Sequence, residues 1–348
     1  MATQAPLLPS TFKSIQWTVA GTPSETLSLN ESTPLPPVTG SNILVKVHAA
    51  ALNPVDWKLM RGGVPLLVMP KVRVLGMDVA GTVVAIGPKA RKRLQVVDEV
   101  MAMLSFSQSG ALTEYTIVEE SIVVKKPQRW SFEQAAALPL VATTVWESLV
   151  VRGKLKKGDK VLINGASGGT GTVGVQVAKA LGAYVVGVCS TVNMQLVKDI
   201  GADEVVDYKT TNVTEKYQNR DFDIVFDTVG DAAEIWAHNA TLIKPTGNLV
   251  RIAGDADSFD SPIKLLRIGA DIASKKAYSL LTSGPGYHLF TAFPNGEILA
   301  KVIKTLDEDG KVNPIIDSVN EFTLPAVLAA IEKSQSARAK GKIVFKIA

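Results

Sequence analysis

The segment Val161-Leu-Ile-Asn-Gly-Ala-Ser-Gly-Gly-Thr-Gly-Thr-Val-Gly-Val-Gln-Val-Ala-Lys179 carries three structural signals in one line. Val161 to Ile163 form an apolar run of the kind that makes a buried parallel strand. Gly165, Gly168, Gly169 and Gly171 follow at once as a turn. Val173, Val175, Val177, Ala178 and Leu181 then recur at helical spacing. A strand, a glycine turn and a helix start place free backbone N–H groups and a positive helix end against a pyrophosphate. Glycine is needed where a side chain would hold the phosphate away or forbid the dihedrals of the turn.

The spacing is Ala166-x-Gly168-Gly-x-Gly171 rather than a strict Gly-x-Gly-x-x-Gly, and no Gly-Lys-Ser/Thr follows, which argues against a nucleoside-triphosphate loop. A glycine turn that is only a tight connection remains the alternative, so the flanks decide. Ala183 to Cys189 is a strand, and Asn193 to Ile200 a helix stopped by Gly201. Val205-Val206, Asp223 to Asp227 and Gly247 to Ile252 are further strands. Strands alternating with helices at this rhythm predict an α/β domain with a doubly wound parallel sheet of the Rossmann kind.

The tip of the second strand bears on which dinucleotide binds. A carboxylate there would hold the ribose 2′-OH of NAD. The strand instead ends Val188-Cys-Ser190-Thr191-Val-Asn193, with no acid, and Tyr208 follows the next strand. Hydroxyl and amide groups leave room for a 2′-phosphate and can donate to it. NADPH is the expected cofactor, with Ser190 as a mere helix cap the competing reading.

At 348 residues the chain has the length of two domains. Its net charge of +4 is spread out, with no basic cluster interleaved with aromatics, so nucleic acid is not an expected partner. Cys189 is the one cysteine; lying in a predicted buried strand, it reads as core. No apolar run reaches membrane-span length. Met1 to Ser14 shows neither a signal pattern nor arginine, and the expected location is cytoplasmic. Organisation changes near residue 140. Before it come short strands with turn signals, among them Ile43–Ala49, Val79–Ile86, Asp98–Ala102 and Glu114–Val118, predicting a curled antiparallel sheet or partial barrel. The α/β section opens with a helix from Phe132 through Leu138, and Gly284-Pro-Gly286 reads as a linker. The expected domains are 1–139, then 140–285 for the dinucleotide, then 286–348 returning to the first.

Separate segments also resemble a known family. They are Ala51-Leu-Asn-Pro-Val-Asp-Trp-Lys58, Gly76-Met-Asp-Val-Ala-Gly81, Gly110-Ala-Leu-Thr-Glu-Tyr115, Ala136-Ala-Leu-Pro-Leu140 with Thr144 and Trp146, the glycine turn, Gly201 to Tyr208, and Gly341-Lys-Ile-Val344. Together they are similar to the zinc-free medium-chain dehydrogenase/reductases of the quinone oxidoreductase-like branch, and especially to alkenal/enone oxidoreductases. The resemblance implies a GroES-like β domain beside the Rossmann domain, with a homodimer common in the family. Zinc-dependent members hold their metal through cysteine and histidine ligands. Here Asn53 to Asp56 stand at the first ligand position, Met77-Asp78 replace a His-Glu pair, and the four-cysteine loop is absent. His48, His238 and His288 are not spaced as a ligand pair, so no metal is expected.

By motif position, Asn53, Asp56, Lys58 and Thr144 are the candidate catalytic residues. Asn53 is expected near the nicotinamide and Thr144 near its carboxamide, while Lys58 either donates to an enolate or pairs with Asp56. Gly168, Gly169, Thr170 and Gly171 are expected at the pyrophosphate, and Ser190, Asn193 and Tyr208 at the 2′-phosphate. Ala253 and Gly254 are expected to border the nicotinamide, and Lys342 is a candidate for a cofactor phosphate or for a solvated basic face. Tyr115, Tyr278 and Tyr287 are candidate proton donors or packing residues. An apolar pocket is expected from Leu66, Leu67, Val68, Met69, Phe106, Leu280, Leu281, Phe290 and Phe293. The implied activity is zinc-independent, NADPH-dependent hydride transfer to the activated C=C of a small apolar enone or enal, or to a quinone. The alternatives are a trans-acting enoyl reductase of a polyketide pathway and a catalytically silent NADPH-binding protein.

Overall fold

A computed structural model describes residues 8–62, 70–91, 93–105, 110–230, 232–252, 262–307 and 313–348. The chain divides into two compact units. One comprises Met1–Leu140, Phe293–Ala300 and Ile316–Ala348; the other comprises Val141–Ala292 and Lys301–Ile315.

The first unit holds β1 (Thr11–Trp17), β2 (Ser28–Pro34), β3 (Asn42–Leu52), β4 (Arg73–Val74), β5 (Asp78–Ile86), β6 (Glu99–Met103), β7 (Tyr115–Glu119) and β8 (Val123–Lys125). The second holds β9 (Lys160–Asn164), β10 (Tyr184–Cys189), β11 (Glu204–Asp207), β12 (Phe222–Asp227), β13 (Ile243–Ile252) and β14 (Gly286–Phe290), and the chain then returns to the first unit with β15 (Ile316–Glu321) and β16 (Lys342–Lys346).

In the first unit β3 is the hub. It pairs antiparallel with β5, β7 and β16, and its ladder with β5 shifts register at Leu44/Val45 and again at Val47/Ala49. Such shifts bend a strand and let a sheet curl. Gly81 of β5 sits at a close approach to β3, where a Cβ would overlap the Lys46 carbonyl. The buried residues of β3, β5 and β6 include many that are small or β-branched (Ala49, Ala50, Ala51, Val79, Ala80, Val83, Val100, Ala102). The helix Phe132–Ala136 packs on this sheet, capped by Ser131, which accepts the Gln134 N–H at 3.2 Å.

The second unit is the expected parallel sheet, in the order β11-β10-β9-β12-β13-β14. Its core joins Leu162, Val186, Phe222, Val225, Leu249 and Tyr287. Because these strands run the same way, Asn164, Cys189, Asp207 and Asp227 end at one edge of the sheet, where ligands of open α/β sheets bind. The expected boundary at 285 is corrected here. Gly286 is no linker but the first residue of β14, paired with Asn248 of β13, and the unit runs on through Ala292. The signal was masked by Gly284-Pro285-Gly286, a breaker sequence that here starts an edge strand.

Candidate active site

On the second unit, the site grows from the turn between β9 and the helix Gly169–Ala180. Gly168 is the helix N-cap, and the first helical bond runs from the Thr172 N–H to the Gly168 carbonyl at 2.9 Å. The N–H groups of Gly169, Thr170 and Gly171 therefore precede the helical ladder and face outward from the positive end of the helix. Gly165 has φ +80°, and a Cβ there would meet Thr228 Oγ1 at 2.5 Å; a Cβ at Gly171 would overlap the Gly165 carbonyl. A turn this close to the backbone is of the kind that admits a pyrophosphate, with Gly169, Thr170 and Gly171 at the helix start and the Gly168 N–H on the Gly165 carbonyl at 3.0 Å.

The tip of β10 is tied to that turn. Asn193 donates through Nδ2 to Ser167 Oγ at 3.0 Å and to Ser190 Oγ at 3.3 Å, while its Oδ1 is buried without a partner. Ser190 is not a side-chain helix cap. Tyr208 stands 61% exposed beyond β11, its N–H on the Cys189 carbonyl at 3.1 Å. Sequence reasoning missed Asp207. Its carboxylate accepts from the Thr191 hydroxyl and, at 3.0 Å, from the Lys209 N–H, and these bonds hold it below the usual carboxylate range. Burial, with Asp207 alongside, pushes the Cys189 thiol up to about 11, so this cysteine is core. Asp227 was also missed: its Oδ1 accepts from Asn164 Nδ2 at 3.0 Å and from the Val229 and Gly230 N–H groups, shaping the loop after β12. A carboxylate closing an apolar strand was the available signal in both cases. Ala253 and Gly254 lie outside the described residues. Thr144 lies in the helix Pro139–Trp146, 4% exposed, and its carbonyl takes the Ser148 hydroxyl at 2.7 Å.

On the first unit, a buried polar cluster forms where β3, β5 and β16 meet the helix Pro54–Met60. Asn53 is the N-cap residue of this helix, with Pro54 behind it. Its own N–H donates to Asp56 Oδ2 at 2.7 Å, and its Nδ2 donates to Asp78 Oδ2 at 2.9 Å. Asp78 Oδ1 accepts the Leu140 N–H at 2.7 Å. Lys342 completes the group, donating to Asp78 Oδ2 at 3.0 Å, to the Leu52 carbonyl at 3.3 Å and to Asn53 Oδ1. The expectation that Lys342 reaches a cofactor phosphate or a solvated face is thus corrected: β16 turns the side chain inward, 5% exposed, as the counter-charge of a fully buried aspartate. Asp56 is buried, and burial pushes its carboxyl up to about 7, assisted by Asp78 and opposed by the Asn53 N–H and Lys342. Lys58 is half-buried with Nζ 5.7 Å from the Trp57 ring centroid.

The cluster does not suit a zinc ion. Two carboxyl groups, an amide and an ammonium are no set of soft or imidazole ligands, and the ammonium already neutralises the Asp78 carboxylate. Among the described residues no three His, Cys, Asp or Glu side chains converge as metal ligands. His48 stacks on Phe132 at 4.2 Å, and His288 bonds Asn248 Oδ1 at 3.1 Å. The tyrosines pack: Tyr115 on Phe12, and Tyr278 and Tyr287 edge-on to Trp236. Leu280 and Leu281 are 84% and 86% exposed on the helix Pro262–Thr282. Leu66 to Met69 and Phe106 lie outside the described residues.

A phosphate cradle on a parallel sheet, with a curled β unit holding a polar cluster, is the plan of a two-domain dehydrogenase or reductase. Residues 40–128 match the alcohol dehydrogenase GroES-like domain, and residues 200–345 match the family described as zinc-binding dehydrogenase. The chain is 33% identical over 346 residues to 2-methylene-furan-3-one reductase of Solanum lycopersicum, covering 97% of this chain and 80% of that protein. It is 33% identical over 364 residues to the trans-enoyl reductase pgmF of Aspergillus terreus, covering 99% and 98%. The structure superposes on the quinone oxidoreductase of Coxiella burnetii with a TM-score of 0.81 and 27% identity, covering 97% and 99% of the two chains. The chain belongs to the medium-chain dehydrogenase/reductase superfamily, in its quinone oxidoreductase-like branch. It is an NAD(P)H-dependent oxidoreductase. No described helix is long and apolar enough to cross a membrane, and similar proteins include mitochondrial and chloroplastic forms.

Proposed function

We propose that this protein reduces the activated C=C bond of a small apolar 2-alkenal or enone, or a quinone, with NADPH as the preferred donor. The bound nicotinamide supplies the hydride. The observation that carries the reading is the Asn53–Asp78–Lys342 cluster. With an ammonium neutralising the buried carboxylate, the β unit offers hydrogen-bond donors rather than a Lewis acid, and an acceptor already polarised by its own carbonyl is the one such donors can serve. In this reading the N–H groups of Gly169, Thr170 and Gly171 hold the pyrophosphate, and Ser190, Asn193 and Tyr208 surround the 2′-phosphate. Thr144 orients the nicotinamide carboxamide. Lys58 donates to the enolate oxygen as it develops, and Asn53 and Asp78 position the helix that carries it. Ala253 and Gly254 keep their proposed place beside the nicotinamide. A dimer and a cytoplasmic location complete the proposal.

The trans-enoyl reductase relative, matched end to end, favours a second reading, in which the acceptor is an enoyl thioester. Oxidation of NADPH against a 2-alkenal, an alkenone, a quinone and an enoyl thioester separates the two. Turnover of the alkenal or enone is the expected result. Selective turnover of the thioester replaces the first reading with the second, and no oxidation with any acceptor, despite measurable NADPH binding, overturns both. For the cofactor, Ser190→Asp should shift the NADPH-to-NADH preference at least about tenfold toward NADH, because a carboxylate repels the 2′-phosphate and takes the 2′-OH.

A further inference from the structure

A cavity of about 30 Å³ lies within the β unit, lined by Trp17, Asp56, Leu59, Arg73, Gly76 and Met77 among others. About 10–15 Å³ of such space admits one water, provided polar partners are there to hold it. Two partners are present. Asp56 is 4% exposed; its Oδ2 takes the Asn53 N–H, but its Oδ1 has no hydrogen-bond partner. Arg73 is 9% exposed; its guanidinium lies 4.8 Å from the Trp17 ring centroid and donates to the Thr18 and Lys71 carbonyls at 3.1 Å, while Nε is unpartnered. Asp56 and Arg73 thus line the same small chamber, and each carries one buried unpartnered atom whose unmade hydrogen bond is costly if left dry.

We propose that this chamber holds ordered water hydrogen-bonded to Asp56 Oδ1 and Arg73 Nε, and that Asp56, recharged through this water, supplies the proton that completes the reduction at the substrate's α-carbon. The second half rests on the enone reading above. In the step, the O–H bond of Asp56 breaks with its electron pair kept by the carboxylate, and the α-carbon of the enolate takes the proton. The carboxylate is reprotonated from solvent by way of the cavity water. The groups that act on Asp56 are Asp78 from β5 and Lys342 from β16, of opposite effect, and Asn53 at the N-cap of its own helix, while Arg73 from β4 lines the same chamber. Burial outweighs them, so the carboxyl changes hands with its proton near neutral pH, where a general acid works best.

Asp56→Asn tests this, because an amide reproduces the hydrogen bonds of the protonated carboxyl and carries no transferable proton. The first readout needs neither cofactor nor substrate: difference infrared spectroscopy of the protein alone should show a protonated-carboxyl band that disappears as pH rises through about 7 and that D56N lacks. The second is the kcat–pH profile with an enone. Wild-type kcat should fall above that pH, while D56N should be slower by at least about 100-fold, with little change in KM and no descending limb. A high-resolution crystal structure should show water density between Asp56 and Arg73. If D56N does not fold, Asp56→Glu should move the band and the limb together. A dry chamber overturns the water site, and no protonated-carboxyl band assignable to Asp56 overturns the proton role. D56N with wild-type kcat and an unchanged limb overturns the proton role alone. If the wild type turns over no acceptor, the proton role falls with the enone reading, while the water density still decides the chamber.

Discussion

At the scale of single residues, the molecule turns on charges that have no business in a core unless they are matched. Lys342 and Asp78 are matched to each other, so removing one leaves the other buried alone. Lys342→Met should cost about 3–5 kcal/mol in chemical denaturation, and the double variant with Asp78→Asn should recover part of that loss. Asp56 makes the opposite kind of prediction. Its carboxyl sits near 7 in the folded protein against an ordinary 3.8, so the folded state holds a proton that the unfolded chain has released. The stability this confers is complete below about pH 4 and is lost as pH rises through 7. Unfolding followed from acid to neutral pH should show a decline of a few kcal/mol that D56N lacks, although the other carboxylates add their own acid-side slope. None of this was readable in the chain. Asn53 and Asp78 are 25 residues apart, and Lys342 lies 264 residues beyond Asp78. Lys342 looked like one of a basic trio near the C-terminus; only the pairing of β16 beside β3 turns it inward. Arg73, in a two-residue strand, gave no signal either.

At the scale of elements, the sequence was most legible where geometry is local. The turn from Gly165 to Gly171 was readable because its glycines crowd between a strand end and a helix start, where Gly165 takes a positive φ and Gly171 meets the Gly165 carbonyl. The strands of the parallel sheet were readable because, buried on both faces, they are short apolar runs. Gly171→Ala tests how tight the turn is. Its Cβ meets a backbone carbonyl that cannot swing aside. The variant should lose NADPH affinity by at least about tenfold in fluorescence titration, because the Gly169 to Gly171 N–H groups can no longer align. Gly187→Ala is a milder test at the next strand. Its Cβ would meet Val197 Cγ1 at 2.5 Å, a side-chain contact that yields by moving the helix Met194–Asp199. A loss of about 1–3 kcal/mol is expected, with the NADPH-to-NADH ratio altered because Asn193 starts that helix. Element boundaries were less legible wherever breakers begin a strand, as Gly284-Pro285-Gly286 do before β14.

At the scale of the whole molecule, the first unit is assembled from both ends of the chain, with the second inserted between them. Sequence reading expected residues 286–348 to return to the first unit; residues 293–300 and 316–348 belong to it, while 286–292 and 301–315 belong to the second. What it missed is how central the return is: β16 lies between β15 and β3, beside the hub strand of the curled sheet. The consequence concerns synthesis on the ribosome. The inserted unit is complete once residue 315 has emerged, and it can fold while the ribosome is still working. The first 140 residues, though made earlier, must wait with the Ala49–Leu52 stretch of β3 unpaired on its β16 side and Asp78 without its lysine until residues 342–346 arrive. A ribosome-bound chain that ends at residue 325 and is followed by a linker long enough to fill the exit tunnel should therefore show the inserted unit protease-resistant and the older one digestible, whereas release of the full chain should protect both. An unpaired strand edge of this kind invites association with other chains, so the second half of translation is the interval in which a chaperone would matter most to this protein.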